Sequence, residues 1–248
     1  METYSAFADF YDRLTDNVPY SAFADHYERL FAKFGRRPSS ILDLACGTGS
    51  LSKILAERGY EIVGVDRSEE MLSYALEKTD GMENQPVFIA QSIQKLDLYG
   101  TSDACICSLD SINYVTSQRA LQSGFVRLHN FIEPGGLFIF DVNSEARFTG
   151  RSGECFTREE DDFYCVWQAR YSAKSRLCRY YIDIFAGPDG DDRYSLIREV
   201  HSERFYDRPE LEAMLKQAGF KLRGVFGGFT LRRPTEKDER IFYVAERI

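Results

Sequence analysis

Three groups of residues have the types and spacing that chemistry requires. The first is Asp43-Leu44-Ala45-Cys46-Gly47-Thr48-Gly49, an acid near the end of an apolar run followed by a Gly-x-Gly turn. A second acid, Asp66, lies 17 positions past Gly49. Glycines let a backbone approach a ligand closely. A carboxylate closing the next strand can accept hydrogen bonds from both hydroxyls of a ribose, each worth about 1.5–3 kcal/mol because the acceptor is charged. The competing role for Asp66 is helix capping, but Ser68-Glu69-Glu70 can supply that cap. The second group is Asp110, Asn113 and Tyr114, polar side chains that follow the apolar run Ala104-Cys105-Ile106-Cys107. The third centres on His201, whose imidazole can take a proton from an amine or hydroxyl. On a strand face His201 can equally pair with Glu199 or Glu203.

The elements that must position these groups follow from periodicity. Ser39-Ser40-Ile41-Leu42-Asp43-Leu44 reads as a short buried parallel strand. From Ser50 a helical stripe of Leu51, Ile54 and Leu55 runs to a stop at Gly59. Glu61-Ile62-Val63-Gly64-Val65-Asp66 is the next strand, so strand, glycine loop, helix and strand form a nucleotide-binding βαβ unit. Further strands are expected at residues 87–90, 103–110 and 137–143, with helices at 68–76 and 118–132 and a turn at Glu133-Pro134-Gly135-Gly136. His129 adjoins the buried stripe of the second of these helices and reads as structural. Asp141 and Asn143 alternate to one side of their strand and can reach the pocket. A final helix from Arg208 to Gly219 precedes two closing strands, at 220–229 and 240–247.

Residues 1–37 contain a near-repeat, in which residues 4–14 recur as 20–30 around a break at Asp16-Asn17-Val18-Pro19; two short helices in a hairpin are expected. Residues 145–206 change character. Aromatic-rich runs at 163–171, 177–185 and 194–206, with turns at Ala173-Lys174-Ser175 and Gly187-Pro188-Asp189-Gly190, read as three antiparallel strands. Inserted after the fifth strand, this sheet would sit over the ligand end of the core. Its aromatic and arginine content (Trp167, Arg170, Tyr171, Tyr181, Arg198, Arg204) suits a small polar substrate, an anionic one included. A homodimer through the insertion is the competing reading.

Composition narrows the class. The chain has 248 residues, 44% of them hydrophobic, and a formal net charge of −8, enough for a real core and unfavourable to a phosphate backbone; no nucleic-acid partner is expected. The six cysteines form no Cys-x-x-Cys pair, so neither zinc nor a disulfide framework is expected. Cys105 and Cys107 should share one strand face as small apolar residues. No apolar run reaches spanning length and no secretory signal opens the chain, so a cytoplasmic protein with no membrane association is expected.

Leu42-Asp43-Leu44-Ala45-Cys46-Gly47-Thr48-Gly49, with Asp66 at the right distance, resembles motif I of class I S-adenosylmethionine-dependent methyltransferases. Ser52 stands where a dinucleotide fingerprint has its third glycine, which suits a ligand without a pyrophosphate. The Glu-Pro-Gly-Gly before the fifth strand and the helix–Ala218-Gly219-Phe220–strand near the end are similar to the same family. The resemblance implies a seven-stranded, mostly parallel Rossmann-like α/β sheet with N-terminal helices and a small antiparallel β insertion after strand 5. The corresponding boundaries are 1–37 for the helical cover, 38–144 and 207–248 for the core, and 145–206 for the inserted lid. It implies S-adenosylmethionine as cofactor, held by Tyr20, Asp43, Ala45, Cys46, Gly47, Gly49, Asp66, Arg67, Met71, Gln91, Ser92 and Leu109. Where many members read the adenine amino group with an acid, this chain has Gln91 and Ser92. No proline follows Asp110, which argues against the members that methylate exocyclic amines of bases.

A small-molecule acceptor is expected instead, held by Asn113, Tyr114, Asn143, Trp167 and Arg204. If the acceptor must lose a proton, Tyr11, Asp110 and His201 are the candidate catalytic groups. The segment Phe7-Ala8-Asp9-Phe10-Tyr11-Asp12 resembles one that lies over the cofactor in small-molecule members. Two other readings stay open: a non-catalytic protein that binds S-adenosylmethionine and uses the insertion to meet a partner, and an NAD-dependent oxidoreductase built on the same βαβ logic.

Overall fold

The computed structural model describes residues 7–187 and 193–248. Tyr4-Ser5-Ala6 of the near-repeat, and Pro188-Asp189-Gly190 of the expected turn, lie outside the described residues. The near-repeat becomes two helices, α1 (Ala8–Leu14) and α2 (Tyr20–Lys33). Then β1 (Ser40–Leu44), α3 (Ser50–Glu57), β2 (Glu61–Asp66), α4 (Glu69–Thr79), β3 (Val87–Ala90) and β4 (Ser102–Cys107) alternate as expected. Helix α5 (Gln118–Leu128) leads into β5 (Ile132–Asn143). After an insertion, α7 (Arg208–Gln217), β10 (Phe220–Gly227) and β11 (Arg240–Arg247) complete the core.

The seven core strands stand in the order β10-β11-β5-β4-β1-β2-β3. Only the pairings of β11 are antiparallel, to β5 on one side and β10 on the other. Alternation of side chains along the strands divides the core between two faces. Leu42, Leu44, Cys105, Cys107, Phe138 and Phe140 pack with Phe125 of α5 and Leu211 of α7. Ile41, Ile62, Ile106, Ile139 and Phe242 pack with Tyr27 of α2 and Leu55 of α3. Cys105 and Cys107 are thus buried on one face as ordinary small apolar residues.

Two boundaries differ from expectation. Helix α5 ends at Leu128, and β5 already begins at Ile132. Glu133-Pro134-Gly135-Gly136 is therefore no free turn. It bulges within β5, because Ile132 pairs with Ser102 while Leu137 pairs with Ala104. The strand at 103–110 likewise stops at Cys107, since Leu109 and Asp110 turn into left-handed backbone at φ 55° and 52°. Among the described residues no helix is long and apolar enough to cross a membrane.

The insertion contains one helix and one strand that the hydrophobic pattern did not announce. Helix α6 (Glu145–Arg151) follows β5, and the sheet has four strands in the order β6 (Cys155–Glu160), β7 (Phe163–Ser172), β8 (Leu177–Ala186) and β9 (Ser195–Arg204). Strand β6, Cys-Phe-Thr-Arg-Glu-Glu, is mostly exposed and carries no apolar alternation. The inner face of the sheet sets Phe163, Cys165, Ile182 and Ile184 against Phe7 and Phe10 of the α1 region.

Helix α1 is pinned on both sides. Asp12 accepts from Thr48 Oγ1 at 2.5 Å and pairs with Lys78 at 2.7 Å, which ties α1 to the glycine loop and α4. Arg13 pairs with Glu160 and Asp162 at the β6–β7 turn. Gly136 shows how tightly the β4–β5 contact is built: a Cβ there would stand 2.5 Å from the Asp103 carbonyl oxygen. Gly136→Ala is expected to destabilise the fold by about 1–3 kcal/mol, as overpacking against backbone does, read as a lower urea midpoint at unchanged slope.

Candidate active site

One cavity of about 580 Å³ opens where the carboxyl ends of the parallel strands meet the insertion. It sits at the β1/β4 junction, where the strand order reverses and open α/β sheets bind ligands. Its floor comes from Asp43 and Leu44 of β1, Val65 and Asp66 of β2, and Cys107 to Asp110 after β4. Its roof comes from Phe7 and Tyr11 of the N-terminal segment and from Trp167, Ala169, Tyr180, His201 and Glu203 of the insertion.

The glycine-loop end is built around Asp66. Its carboxylate accepts from Gly47 N at 2.9 Å and from Ser68 N at 3.0 Å. Carboxylate oxygens offer about four acceptor sites, and with the Arg67 amide also directed at it Asp66 still keeps acceptor capacity for a ligand. Burial pushes the Asp66 carboxyl above its ordinary pKa, against the opposing pull of those amides. Gly47 sits at φ 54° with open space where a Cβ would be, and Ala45 shares the left-handed region at φ 61°. Asp43, fully buried, accepts from Ser52 Oγ at 2.6 Å. The residue that replaces the third fingerprint glycine is thus the partner of the first acid. Burial raises Asp43 to about 6.

The rest of the predicted cofactor set is also placed in the walls. Tyr20, Cys46, Arg67, Met71, Gln91, Ser92 and Leu109 all line the cavity. The Gln91 amide is already engaged at both ends, by Asp97 N at 2.8 Å and Asp97 O at 3.0 Å. That leaves Ser92 as the freer polar side chain at that position. Gly49 does not line the cavity. At φ 71° its missing Cβ would stand 2.8 Å from Ala75 Cβ, so it packs the loop against α4.

At the insertion end, Tyr11, Asp110, His201, Tyr114, Asn143 and Trp167 line the same cavity. Asp110 pairs with Arg240 at 3.1 Å, and the same guanidinium binds the fully buried Asp141. His201 Nε2 lies 2.6 Å from Glu199 Oε2, the strand-face pairing that the sequence left open. Asn113 and Arg204, by contrast, do not line the cavity. Asn113 is buried and spends its amide as a tie, donating to Arg204 O at 2.8 Å and accepting from Asn143 N at 3.0 Å. Arg204 points to the other face of β9, over the Tyr206 ring and 3.5 Å from Glu210.

Sequence reasoning missed Thr48, Arg147, Arg151, Tyr180, Glu203 and Arg240, all in the cavity wall. Arg147 and Arg151 ride on α6. Its one sequence signal was Ser144, whose Oγ caps Arg147 N at 3.3 Å. Tyr180 was passed over for Tyr181, which faces outward under Arg170 at 5.4 Å. His129 is structural as read, at the end of α5 against Phe220.

A phosphate-free nucleoside fits this wall better than a dinucleotide does. The loop end presents the Asp43 and Asp66 carboxylates, and Lys78 beside it is paired with Asp12. Such a lining repels a pyrophosphate and suits a ribose joined to a positively charged group. A Rossmann-like sheet of this order with this site is that of a class I S-adenosylmethionine-dependent methyltransferase. A family described as "Methyltransferase domain" matches residues 41–136. The chain is 33% identical over 247 residues to the "Putative methyltransferase YqeM" of Bacillus subtilis (strain 168), covering 98% of this chain and 97% of that one. It is 30% identical over 114 residues to the glycine N-methyltransferase of Rattus norvegicus, which spans 41% of this chain and 39% of the relative. The crystal structure of an S-adenosylmethionine-dependent methyltransferase from Clostridium acetobutylicum ATCC 824 superposes with a TM-score of 0.85 at 28% identity, over 98% of both chains. The chain therefore belongs to the S-adenosylmethionine-dependent methyltransferase family, and S-adenosylmethionine is its cofactor.

The raised Asp43 has a consequence for stability. Below about pH 4 it is protonated folded and unfolded alike. Between 4 and 6 the unfolded chain gives up this proton first, so stability falls as pH rises, and above about 6 the penalty is constant. Asp43→Asn removes that term. Relative to the unsubstituted chain, its unfolding free energy should gain about 2–3 kcal/mol on going from pH 4 to pH 7, measured by urea titration at both values without ligand.

Proposed function

We propose that this enzyme methylates a small-molecule acceptor held between the core and the four-stranded insertion, by in-line displacement. The observation that carries the reading is a single continuous cavity reaching from Asp66 to Trp167 and Glu203. Its volume of about 580 Å³ lies in the range of about 300–1,000 Å³ usual for small-ligand sites, with room for cofactor and a compact partner. The name of the rat relative, a glycine N-methyltransferase, agrees with an acceptor of that size.

S-adenosylmethionine, when bound, supplies a methyl group on a positively charged sulfur that is already a good leaving group. The protein's share is alignment and exclusion of water. Asp66 receives the ribose hydroxyls, while Gly47 and Ala45 let the loop backbone come close. Met71 and Ser92 flank the base, and Leu109 carries the chain past the reacting centre in its left-handed turn. Tyr11 and Tyr20 cover the site, where hydroxyls of Thr15, Ser50 and Tyr11 lie around that of Tyr20. Trp167, Tyr114 and Asn143 form the acceptor wall, so residues 145–206 act as a substrate subdomain on the core of 38–144 and 207–248, with 1–37 as cover. Of the groups able to take a proton, Asp110 is held by Arg240 and His201 by Glu199, which leaves both better suited to orientation.

Calorimetric titration with S-adenosylmethionine, S-adenosylhomocysteine and NAD tests the cofactor half. Micromolar dissociation constants for the first two and none for NAD are expected, and silence from the first two would overturn the reading. Asp66→Ala should weaken S-adenosylhomocysteine about 100-fold, the loss of two hydrogen bonds to a charged acceptor. The acceptor half is tested with Trp167→Ala, which should leave cofactor affinity within about threefold and lower kcat/KM for any acceptor found by product detection at least tenfold, about 1.4 kcal/mol of transition-state binding.

A further inference from the structure

Glu203 is buried in the cavity wall at the acceptor end, with 3% of its surface exposed. Among the described residues no guanidinium or ammonium is paired with it. Its hydrogen bonds come from neutral groups, Asn143 Nδ2 at 2.9 Å and the Tyr180 hydroxyl. A carboxylate has about four acceptor sites, so these partners leave part of it unsatisfied; the Arg147 guanidinium offsets some of its charge without pairing with it, and a buried carboxylate short of partners is costly. Asn143 adds to the imbalance. Because its Nδ2 faces Glu203, its Oδ1 is turned the other way, and that buried oxygen receives no donor from any described residue. The acceptor end thus holds, in Glu203, a buried carboxylate fixed by Asn143 with acceptor capacity to spare for an N–H donor.

We propose that the methyl acceptor is a primary or secondary amine, and that Glu203, oriented by Asn143 and Tyr180, receives its ammonium form and takes its proton. The inference rests on the small-molecule reading above and adds its chemical class. An ammonium nitrogen has no lone pair for attack until one proton leaves. The Glu203 carboxylate accepts that proton. As the new N–C bond forms, the methyl–sulfur bond breaks, its electron pair stays on a now neutral thioether, and the methylated nitrogen carries the positive charge. Glu203 then returns its proton to solvent. Burial, reinforced by the nearby Asp110, raises the carboxyl well above its ordinary range, which makes it a better match for a proton coming from nitrogen.

The alternative is that Glu203 merely ties β9 to β5 through Asn143. Sinefungin separates the two, because it carries an amino group on carbon where S-adenosylmethionine carries its methyl on sulfur, and so aims an ammonium at the acceptor end. The expected result is calorimetric: sinefungin binds the unsubstituted enzyme at least about tenfold more tightly than S-adenosylhomocysteine. In Glu203→Gln the advantage falls to about onefold, while S-adenosylhomocysteine affinity stays within about twofold and certifies the fold. Glu203→Asp, one methylene shorter but still acidic, keeps part of the advantage. A sinefungin advantage that survives in Glu203→Gln, or none in the unsubstituted enzyme, overturns the proposal and leaves the methyltransferase reading intact. Failure of both ligands to bind the unsubstituted enzyme overturns the proposal together with the reading beneath it.

Discussion

The Asp66 carboxylate is the constraint on which the rest of the site depends. One oxygen holds the glycine loop through Gly47 N, and the other holds the start of α4 through Ser68 N. Its own backbone carbonyl accepts Gln91 N at 2.8 Å and so positions the exit of β3. Three loops from three strands converge on one residue. Hydrogen bonds to a charged acceptor contribute about 1.5–3 kcal/mol each, so the loop is set before any ligand arrives. Gly49 completes the arrangement from the other side by letting the loop descend onto Ala75 and Phe88.

The parallel half of the fold was legible because burial on both faces leaves near-continuous apolar runs, and tight loops leave glycines. Ile41-Leu42-Asp43-Leu44 and Ile62-Val63-Gly64-Val65-Asp66 could be little else. What stayed hidden depended on long-range pairing. Gly49 was read as a ligand contact because its spacing fits one, and only the approach of α4 shows that it also packs the loop. Strand β6 carries Arg158, Glu159 and Glu160 and is a strand because β7 pairs with it, which no local pattern announces.

The insertion shows a second kind of limit. In a strand a displacement of one residue reverses which face a side chain meets. The aromatic and basic residues of β7 to β9 stand on both faces, so composition marked the right strands but could not choose parity. Trp167 faces the cavity, yet Tyr180 and Glu203 take the inward positions that Tyr181 and Arg204 were expected to hold. The register settles this: Tyr180 lies opposite both Ala169 and His201, and Glu203 opposite Cys178, all on the inner side. Glu203 stands near the acids Glu199, Asp207 and Glu210, and nothing in the composition tells the buried one from its neighbours.

The antiparallel seam between β5 and β11 bears on how the chain assembles. Leu137 to Phe140 of β5 are paired on one side by β4, and Leu137 to Asn143 on the other by Glu246 to Arg240. The ion pair across that seam, Arg240 with Asp141, joins residues 99 positions apart. During synthesis the apolar edge of β5 therefore stays unzipped while the entire insertion, α7 and β10 are being made. Until β11 arrives that edge is a ready template for stray strand pairing. The nascent protein is most exposed to aggregation late in translation, when nearly all of its core already exists.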